Sequence, residues 1–356
     1  MMEQQRRIAM IVSPWYPVPP DGYGGIELMA YNLARELSHR GHKVTVIGRQ
    51  GSQGPYDVLA LAPESWTNQL GTNDQAARHA LFLFRAYDAI RRRAFDVVHD
   101  HSGPPGILVG GVCRPEAPVV ATLHGALSEA EGEFLGAVDR RVHLVAISRA
   151  QQATVAGVEW RGVVHNAVDP ELFTPITRRE EKEDYIVNLA RISPDKGQHL
   201  AIELAKRLNV KLVLAGKIDT DSHRYFDEKV KPHLNGQVTW RENVEGDEKA
   251  ELLARARAMV FPIQWEEPFG MAMIEAMMSG TPVIAMAHGA APELVQPGVT
   301  GWLADDVDGM ADAYSRLDEI DLKRCVEVAS QRFGPAQMAD GYMKVYDRAI
   351  EQELYD

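Results

Sequence analysis

Residues 8–13 read IAMIVS, and residues 26–48 read IELMAYNLARELSHRGHKVTVIG. The first segment is an apolar run of strand length, and residues 26–40 predict a helix that ends at Gly41. Residues 43–48 are again apolar and β-branched, which predicts a second strand. A buried strand, a helix and a second buried strand in this order are typical of a parallel sheet that helices cover on both faces.

The same alternation continues through the first half of the chain. Further strands are predicted at 58–61, 96–99, 119–123, 144–147 and 162–165, and the longest helix between them at 75–93. The alternation stops near residues 166–170, and a charged segment, 178–184, follows. We interpret this region as a linker between domains.

A second series of elements follows the predicted linker. Its strands are predicted at 185–189, 211–215, 238–240, 259–261 and 283–287, its helices at 198–208, 247–255 and 269–278, and one terminal helix at 336–353. The sequence therefore predicts an α/β protein with two doubly wound domains in tandem. Such domains bind ligands at the carboxyl ends of their strands, so we expect a ligand in a crevice there.

Composition narrows the class of protein. The chain has 356 residues, enough for two domains of roughly 100–200 residues each. Residues 1–165 contain 16 basic and 16 acidic side chains and residues 166–356 contain 22 and 34, so the second half carries the whole net charge of −12. This charge argues against a nucleic-acid-binding protein. Cys113 and Cys325 form no disulfide framework or metal motif, and no apolar run has the length of a signal peptide core or a membrane helix, so we expect a cytoplasmic protein.

The segment 265–280, WEEPFGMAMIEAMMSG, contains the most informative pattern. Pro268 is typical of a helix entry. Glu275 shares one face of the predicted helix with Met271 and Met278. A buried carboxylate needs a polar partner, and two hydroxyls of a ribose would serve. The alternative is a helix with one acidic residue that the protein itself satisfies.

Three charged residues near predicted strand ends are candidates for binding an anionic ligand or a sugar. Glu267 directly precedes the predicted helix, whose N-terminal N–H groups suit a diphosphate or a sugar oxygen. Arg191 and Lys196 lie between a strand and a helix, and their cationic groups suit phosphate oxygens. A solvated loop with two ordinary charges is an equal alternative.

The first half offers a glycine loop and three histidines. Gly24 and Gly25 end the long loop after the first strand and would let the backbone approach a ligand closely, although a surface loop would look alike. His99, His101 and His124 end or follow strands, where packing roles are more common than catalytic ones.

The segment 265–280 resembles the motif of the family-4 retaining glycosyltransferases of GT-B fold. In that motif two glutamates have seven residues between them, and Phe-Gly closely follows the first; the spacing selects Glu267 and Glu275. The resemblance covers nearly the whole chain and is strongest over residues 191–301. It implies two Rossmann-like domains, 1–168 for the acceptor and 169–335 for the nucleotide sugar, with an interdomain cleft and a C-terminal segment, 336–356, that returns to the first domain.

The resemblance also implies a role for each candidate residue. Arg191 and Lys196 would stabilise the leaving diphosphate, Glu267 would hold the sugar hydroxyls, Glu275 would hold the ribose, and His124 would face the donor sugar. The remaining donor-binding residues would be Gly24, Gly25, Phe269, Gly270 and Met271. His101 would line the acceptor side, and Asn166 and Asp169 would be structural.

The implied reaction is transfer of a sugar, with retention, from a nucleoside diphosphate sugar to a hydroxyl acceptor. UDP-sugars are the commonest donors in the family, and GDP- and ADP-sugars also occur. The resemblance implies no cofactor and no metal, and it leaves open a small-molecule, glycan or lipid-linked acceptor. Peripheral membrane contact through Arg85 and Arg91–Arg93 is the less favoured interpretation of that basic run. An epimerase of the same fold and a non-catalytic nucleotide-sugar sensor are the rival functions.

Overall fold

The computed structural model describes residues 4–22 and 24–353. Tyr23 of the glycine loop and residues 354–356 of the predicted C-terminal segment lie outside the described residues. The chain divides into two compact units. Unit 1 contains the residues up to Ala167 together with those from Pro335 onward, and unit 2 contains Val168–Gly334.

Unit 1 is built on a parallel sheet of seven strands in the order β3-β2-β1-β4-β5-β6-β7. The strands are β1 Arg7–Ile11, β2 Lys43–Arg49, β3 Asp57–Ala62, β4 Val97–Asp100, β5 Val119–Leu123, β6 His143–Ala146 and β7 Trp160–Val163. The helices between them are α1 Gly25–His39, α2 Gln75–Arg91, α3 Pro104–Cys113, α4 Glu129–Val138 and α5 Arg149–Ala153. A short 3-10 helix, Glu64–Gln69, follows β3.

The side chains of the central strand β1 alternate between two apolar clusters, one on each face of the sheet. Ile8 and Met10 belong to one apolar cluster, and Ala9 and Ile11 belong to the other. All four are fully buried. Because successive side chains point to opposite faces of a sheet, a continuous apolar run is the pattern that two covered faces require.

Unit 2 has a parallel sheet of six strands in the order β10-β9-β8-β11-β12-β13. The strands are β8 Tyr185–Leu189, β9 Lys211–Ala215, β10 Val238–Arg241, β11 Ala258–Phe261, β12 Val283–Met286 and β13 Gly301–Ala304. The helices are α6 Gln198–Leu208, α7 His223–Tyr225, α8 Gly246–Arg255, α9 Met271–Met278, α10 Ala291–Leu294, α11 Val307–Ser315 and α12 Leu322–Phe333. The prediction of two parallel-sheet domains with covering helices is thus confirmed.

The last helix, α13 Pro335–Glu353, belongs to unit 1. Tyr346 forms a hydrogen bond of 2.7 Å with His99 on β4, and Tyr342 forms one of 3.0 Å with Thr122 on β5. Arg6 adds an ion pair of 2.9 Å with Asp347. Aromatic and polar contacts therefore hold α13 against the first sheet.

The prediction of a linker at 178–184 is wrong. That segment lies inside unit 2, where Arg179–Glu181 form a 3-10 helix. Lys182 donates hydrogen bonds to the Ala254 carbonyl at 2.6 Å and to Thr281 Oγ1 at 2.9 Å, and burial lowers its pKa to about 7. A run of charges predicted an exposed connection, but tertiary contacts satisfy those charges within the domain.

Candidate functional site

The candidate residues of unit 2 lie beyond the carboxyl ends of β8 and β11, two neighbouring strands of its sheet. In a parallel sheet these ends share one edge, so the loops that follow them are brought together. The loop after β8 carries Arg191 and Lys196, and the loop after β11 carries Glu267.

Lys196 is positioned by a tightly constrained loop. Gly197 follows it with φ 69°, and a Cβ there would lie 2.0 Å from the Pro262 carbonyl oxygen, so the position admits only glycine. The fully buried Gln198 side chain accepts from Ser193 N–H at 3.3 Å and donates to the Arg191 carbonyl at 2.9 Å. These bonds hold the loop in one shape.

Lys196 and Glu267 form an ion pair in which both side chains are largely buried, with 10% and 15% of their surfaces exposed. The indole N–H of Trp265 donates to the same Glu267 oxygen at 3.1 Å. The Lys196 ammonium also lies 4.9 Å from the centre of the Trp265 ring, a distance at which cation and ring attract each other. The structure thus brings two predicted site residues into direct contact.

The backbone of Glu267 is held by the loop that follows β12. Ala290 N–H donates to the Glu267 carbonyl at 2.9 Å. Gly289 has φ 55°, and a Cβ on it would lie 2.3 Å from backbone atoms of Glu267. Ala290 itself has φ −79°, so its backbone needs no glycine. Glycine is therefore required at only one of these two positions.

Helix α9 begins at Met271, two residues later than the predicted start at 269, so Pro268 and Phe269 belong to the loop. Gly270 is the residue before the first turn and has φ 96°, a conformation that favours glycine. Phe269 is buried, whereas Met271 is only partly buried. The predicted donor-binding residues 269–271 thus form the entry to α9. Of the backbone N–H groups in its first turn, that of Met273 donates to the Gly270 carbonyl at 3.1 Å, and those before it have no carbonyl of a preceding helical turn to bind.

Glu275 is buried on α9, as its apolar neighbours predicted, and its partner is Lys249 of α8 at 2.7 Å. The two side chains are 11% and 25% exposed. Sequence reasoning missed Lys249, because it lies 26 residues before Glu275 in a helix rich in exposed charges and matches no motif. This pair neutralises the buried carboxylate, as the cost of burying an unpaired charge requires.

Arg191 has a different environment from Lys196. It forms an ion pair with Asp219, and 48% of its side chain is exposed. Asp219 is itself fixed by a backbone bond, its N–H donating to the Ile192 carbonyl at 3.1 Å. Arg191 is thus a partly solvated cation beyond the end of β8.

In unit 1, Gly24 and Gly25 form the entry to α1, and Gly24 has φ 157°. Sequence reasoning missed Glu27 in the first turn of this helix. It is 4% exposed and accepts a short hydrogen bond from Ser13 Oγ. Burial raises the pKa of the Glu27 carboxyl. The glycine loop is therefore anchored to the end of β1 by a buried carboxylate–hydroxyl contact.

The three histidines of unit 1 form one cluster. His101 Nδ1 lies 3.1 Å from His124 Nε2, and the ring centres of His99 and His101 are 3.8 Å apart. Burial lowers the pKa of His124 to about 4, and burial together with the neighbouring histidines lowers the pKa values of His99 and His101 well below the usual range. All three are therefore neutral at pH 7, and one ring nitrogen of His124 is engaged by His101.

The remaining candidates are surface features. Arg85 and Arg91–Arg93 are exposed, and Arg92 pairs with Asp88 at 2.9 Å.

Among the helices of the described residues, none has the length and apolar character needed to cross a membrane. Within the same residues, no three or more His, Cys, Asp or Glu side chains cluster as around a metal ion.

Comparison with known proteins places these features in a family. The family model "Glycosyltransferase Family 4" matches residues 23–172, and the model "Glycosyl transferases group 1" matches residues 171–324. The chain is 25% identical to the D-inositol 3-phosphate glycosyltransferase of Mycolicibacterium smegmatis, over 98% of this chain and 92% of the relative. The corresponding enzyme of Mycobacterium avium is 24% identical, over 99% and 96%.

Solved structures share the two-sheet architecture. AviGT4, a glycosyltransferase involved in avilamycin A biosynthesis, has a TM-score of 0.73 and 26% identity, with 97% of this chain and 98% of that chain covered. HepE of Anabaena, solved with UDP-glucose, has a TM-score of 0.74 and 19% identity, with 97% and 100% covered. Because the two family models together span most of the chain and the fold is shared, the chain belongs to the family-4 glycosyltransferases of GT-B fold.

Proposed function

We propose that this glycosyltransferase transfers a sugar from a UDP-sugar to a hydroxyl acceptor, with retention of anomeric configuration and without a metal ion. The observation that carries the proposal is the buried Lys196–Glu267 ion pair beside the N-terminus of α9. The Lys196 cation suits the diphosphate of a nucleotide sugar, and the Glu267 carboxylate suits its sugar hydroxyls. Backbone N–H groups at the start of α9, at the same edge of the sheet, suit a phosphate or a sugar oxygen.

Unit 2 would bind the donor. Lys196 would exchange Glu267 for the diphosphate and stabilise the charge that grows on it as the glycosidic bond breaks, with Arg191 as the second cation. Glu267, once released, would accept hydrogen bonds from sugar hydroxyls, together with the backbone of Phe269 and Gly270. Two local cations at the diphosphate are the reason to propose a reaction that needs no metal ion.

Glu275 would bind the ribose of the nucleotide. Its contact with Lys249 occupies one carboxylate oxygen, Oε1, so that the other oxygen remains for a ribose hydroxyl. Lys249 would act as a positioning residue that holds the Glu275 carboxylate in one orientation. A carboxylate that is charged but already paired costs less to keep buried while the site is empty.

Unit 1 would bind the hydroxyl acceptor. Gly24, Gly25 and His124, which the resemblance assigns to the donor, also lie in this unit, beyond the carboxyl ends of β1 and β5, at the edge where doubly wound domains bind ligands. His124 is neutral at pH 7, so it would act through hydrogen bonding rather than through charge. The acceptor oxygen would form the new bond to the anomeric carbon as the bond from that carbon to the phosphate breaks. The proton of the acceptor hydroxyl would pass to the leaving phosphate oxygen, so the step needs no separate side-chain base.

The relatives support the choice of donor. HepE binds UDP-glucose in its solved structure, and UDP-sugars are the commonest donors in the family that the sequence resembles. The name of the mycobacterial relatives, D-inositol 3-phosphate glycosyltransferase, supports a small hydroxylated acceptor.

The test is a screen of UDP-, GDP- and ADP-sugars for thermal stabilisation. A donor at about 100 times its Kd should stabilise the protein by about 2.7 kcal/mol. UDP-sugars should give the largest shift, and Lys196→Ala should lower kcat about 10²–10³-fold while changing donor affinity much less. Stabilisation by no nucleotide sugar contradicts the proposal. An epimer formed from donor alone would indicate the rival epimerase instead.

A further inference from the structure

Arg49 of unit 1 is a buried cation that has no partner among residues 4–22 and 24–353. It is the last residue of β2, and only 8% of it is exposed. Its Nε is buried without a hydrogen-bond acceptor, and no carboxylate forms an ion pair with its guanidinium within the described part of the chain. Neither the proposed donor site nor the proposed role of His124 uses this residue.

Arg49 lies at the edge of unit 1 where the carboxyl ends of the strands meet, the edge at which doubly wound domains bind ligands. Strand β2 lies between β3 and β1, and Arg49 stands at its carboxyl end. The loops after all three strands are bonded to one another there: Val18 N–H donates to Ser52 Oγ at 3.0 Å, and Thr67 Oγ1 donates to the Trp15 carbonyl. The end of β2 is therefore enclosed by three linked loops, one of which continues into the glycine loop before α1.

Two other partly buried arginines of this unit are paired with carboxylates. Arg6 contacts Asp347 at 2.9 Å, and Arg40 contacts Glu36 at 2.8 Å and also Asp340. An arginine side chain stays cationic in proteins, and a buried charge without a counter-charge is unfavourable. An unpaired buried guanidinium at a ligand-binding edge is thus expected to acquire its counter-charge from a ligand.

We propose that Arg49 binds an oxyanion, a phosphate or a carboxylate, carried by the acceptor, so that the enzyme selects anionic acceptors over neutral ones. The planar guanidinium fork matches two oxygens of either group. This inference rests on the proposed acceptor role of unit 1. It goes further because it names the chemical class of acceptor and the residue that selects it.

A structural role and a ligand-binding role for Arg49 predict opposite effects of its removal on the stability of the protein. If packing or hydrogen bonds of the Arg49 side chain stabilised the unit, Arg49→Met would lower the free energy of unfolding. If the charge waits for a ligand, Arg49→Met removes an unfavourable buried charge and leaves the unliganded protein as stable as the wild type or more stable. Urea unfolding of both proteins without ligands separates the two roles.

Binding is tested with inorganic phosphate, acetate, glucose 6-phosphate, glucuronate and glucose as probes. Each is titrated by thermal shift at constant ionic strength, with UDP present at saturation so that anions do not occupy the diphosphate site of unit 2. The wild type is compared with Arg49→Gln and with Arg140→Gln, a control that removes an exposed arginine of the same unit. The phosphate and carboxylate arms show which oxyanion is preferred.

We expect Arg49→Gln to bind the preferred anion at least tenfold more weakly than the wild type, with Arg140→Gln unchanged and glucose showing no difference among the three. Equal anion affinity of the wild type and Arg49→Gln overturns the inference, as does a loss of unliganded stability in Arg49→Met. UDP affinity, measured in the same proteins, should be the same in all of them. Absence of UDP binding in the wild type would instead contradict the proposed donor site, whatever the anions do.

Discussion

Replacement of Glu267 by glutamine tests whether Lys196 exchanges its protein partner for the donor diphosphate. In the unliganded structure the Lys196 ammonium is engaged by the Glu267 carboxylate, and both side chains are largely buried. A diphosphate must therefore compete with Glu267 for Lys196. Glu267→Gln keeps the size and a neutral acceptor oxygen but removes the charge.

The size of the effect follows from the strength of that contact. A hydrogen bond to a charged group contributes about 1.5–3 kcal/mol, and charge-assisted bonds are roughly twice as strong as neutral ones. Loss of the charge should thus weaken the contact between Lys196 and residue 267 by about 1–1.5 kcal/mol. This corresponds to about five- to tenfold tighter binding of UDP. Turnover should fall about 10²-fold or more, because the carboxylate proposed to hold the sugar in the transition state is lost.

Calorimetry with UDP and steady-state rates with the best donor measure the two effects. Glu266→Gln is the matched control: it makes the same change one residue earlier, on a side chain that is 65% exposed and contacts His288 and Gly289. Its UDP affinity should change less than twofold. If Glu267→Gln binds UDP no more tightly than this control, Lys196 does not exchange Glu267 for the diphosphate.

Three further predictions follow from the same structure. Glu275→Gln should weaken UDP binding by about 1–3 kcal/mol, because a neutral amide replaces the charged carboxylate that would accept from the ribose hydroxyls; unchanged affinity by calorimetry would make Glu275 purely structural. Transfer should persist in excess EDTA, and a loss restored by magnesium or manganese would exclude the metal-free mechanism. Because burial lowers the pKa of His124 to about 4, the unfolded chain binds more protons than the folded one as pH falls below about 6.5. Urea unfolding should therefore show that the wild type loses up to about 2 kcal/mol more than His124→Asn between pH 7 and pH 5, whereas equal losses would contradict the lowered pKa of this partly buried histidine.

Much of the architecture was predictable from local sequence. The apolar run at β1 predicted a strand covered on both faces, because side chains alternate between the faces. The helix predicted at 198–208 is α6, and its observed bounds are the same, Gln198–Leu208. One exception was the segment 178–184, whose charges resembled those of a linker although their partners lie in unit 2. Another was β13, Gly301–Ala304, which was not predicted.

The sequence predicted which residue types belong to the candidate site, but it did not predict which of them form ion pairs with each other. The pattern at 265–280 indicated that Glu275 is buried and must have a partner, since an apolar helix face contains it. Only the fold identified that partner as Lys249, which reaches Glu275 from α8, and brought Lys196 into contact with Glu267 across 71 residues of sequence. Spacing along a chain determines which residues share a helix face, but contacts between loops depend on the order of the strands.

The sequence by itself determined the alternation of strands and helices, the glycine positions of the site and the presence of its carboxylates and cations. Each of these depends on local rules: side-chain periodicity, the steric freedom of glycine, and the chemistry of the individual residue. Tertiary structure alone decided that Glu275 pairs with Lys249, that Arg49 is buried without a partner among the described residues, and that three histidines form one cluster. The physical reason is that burial and pairing are properties of neighbours in space, and in parallel sheets those neighbours come from strands joined by long crossover connections.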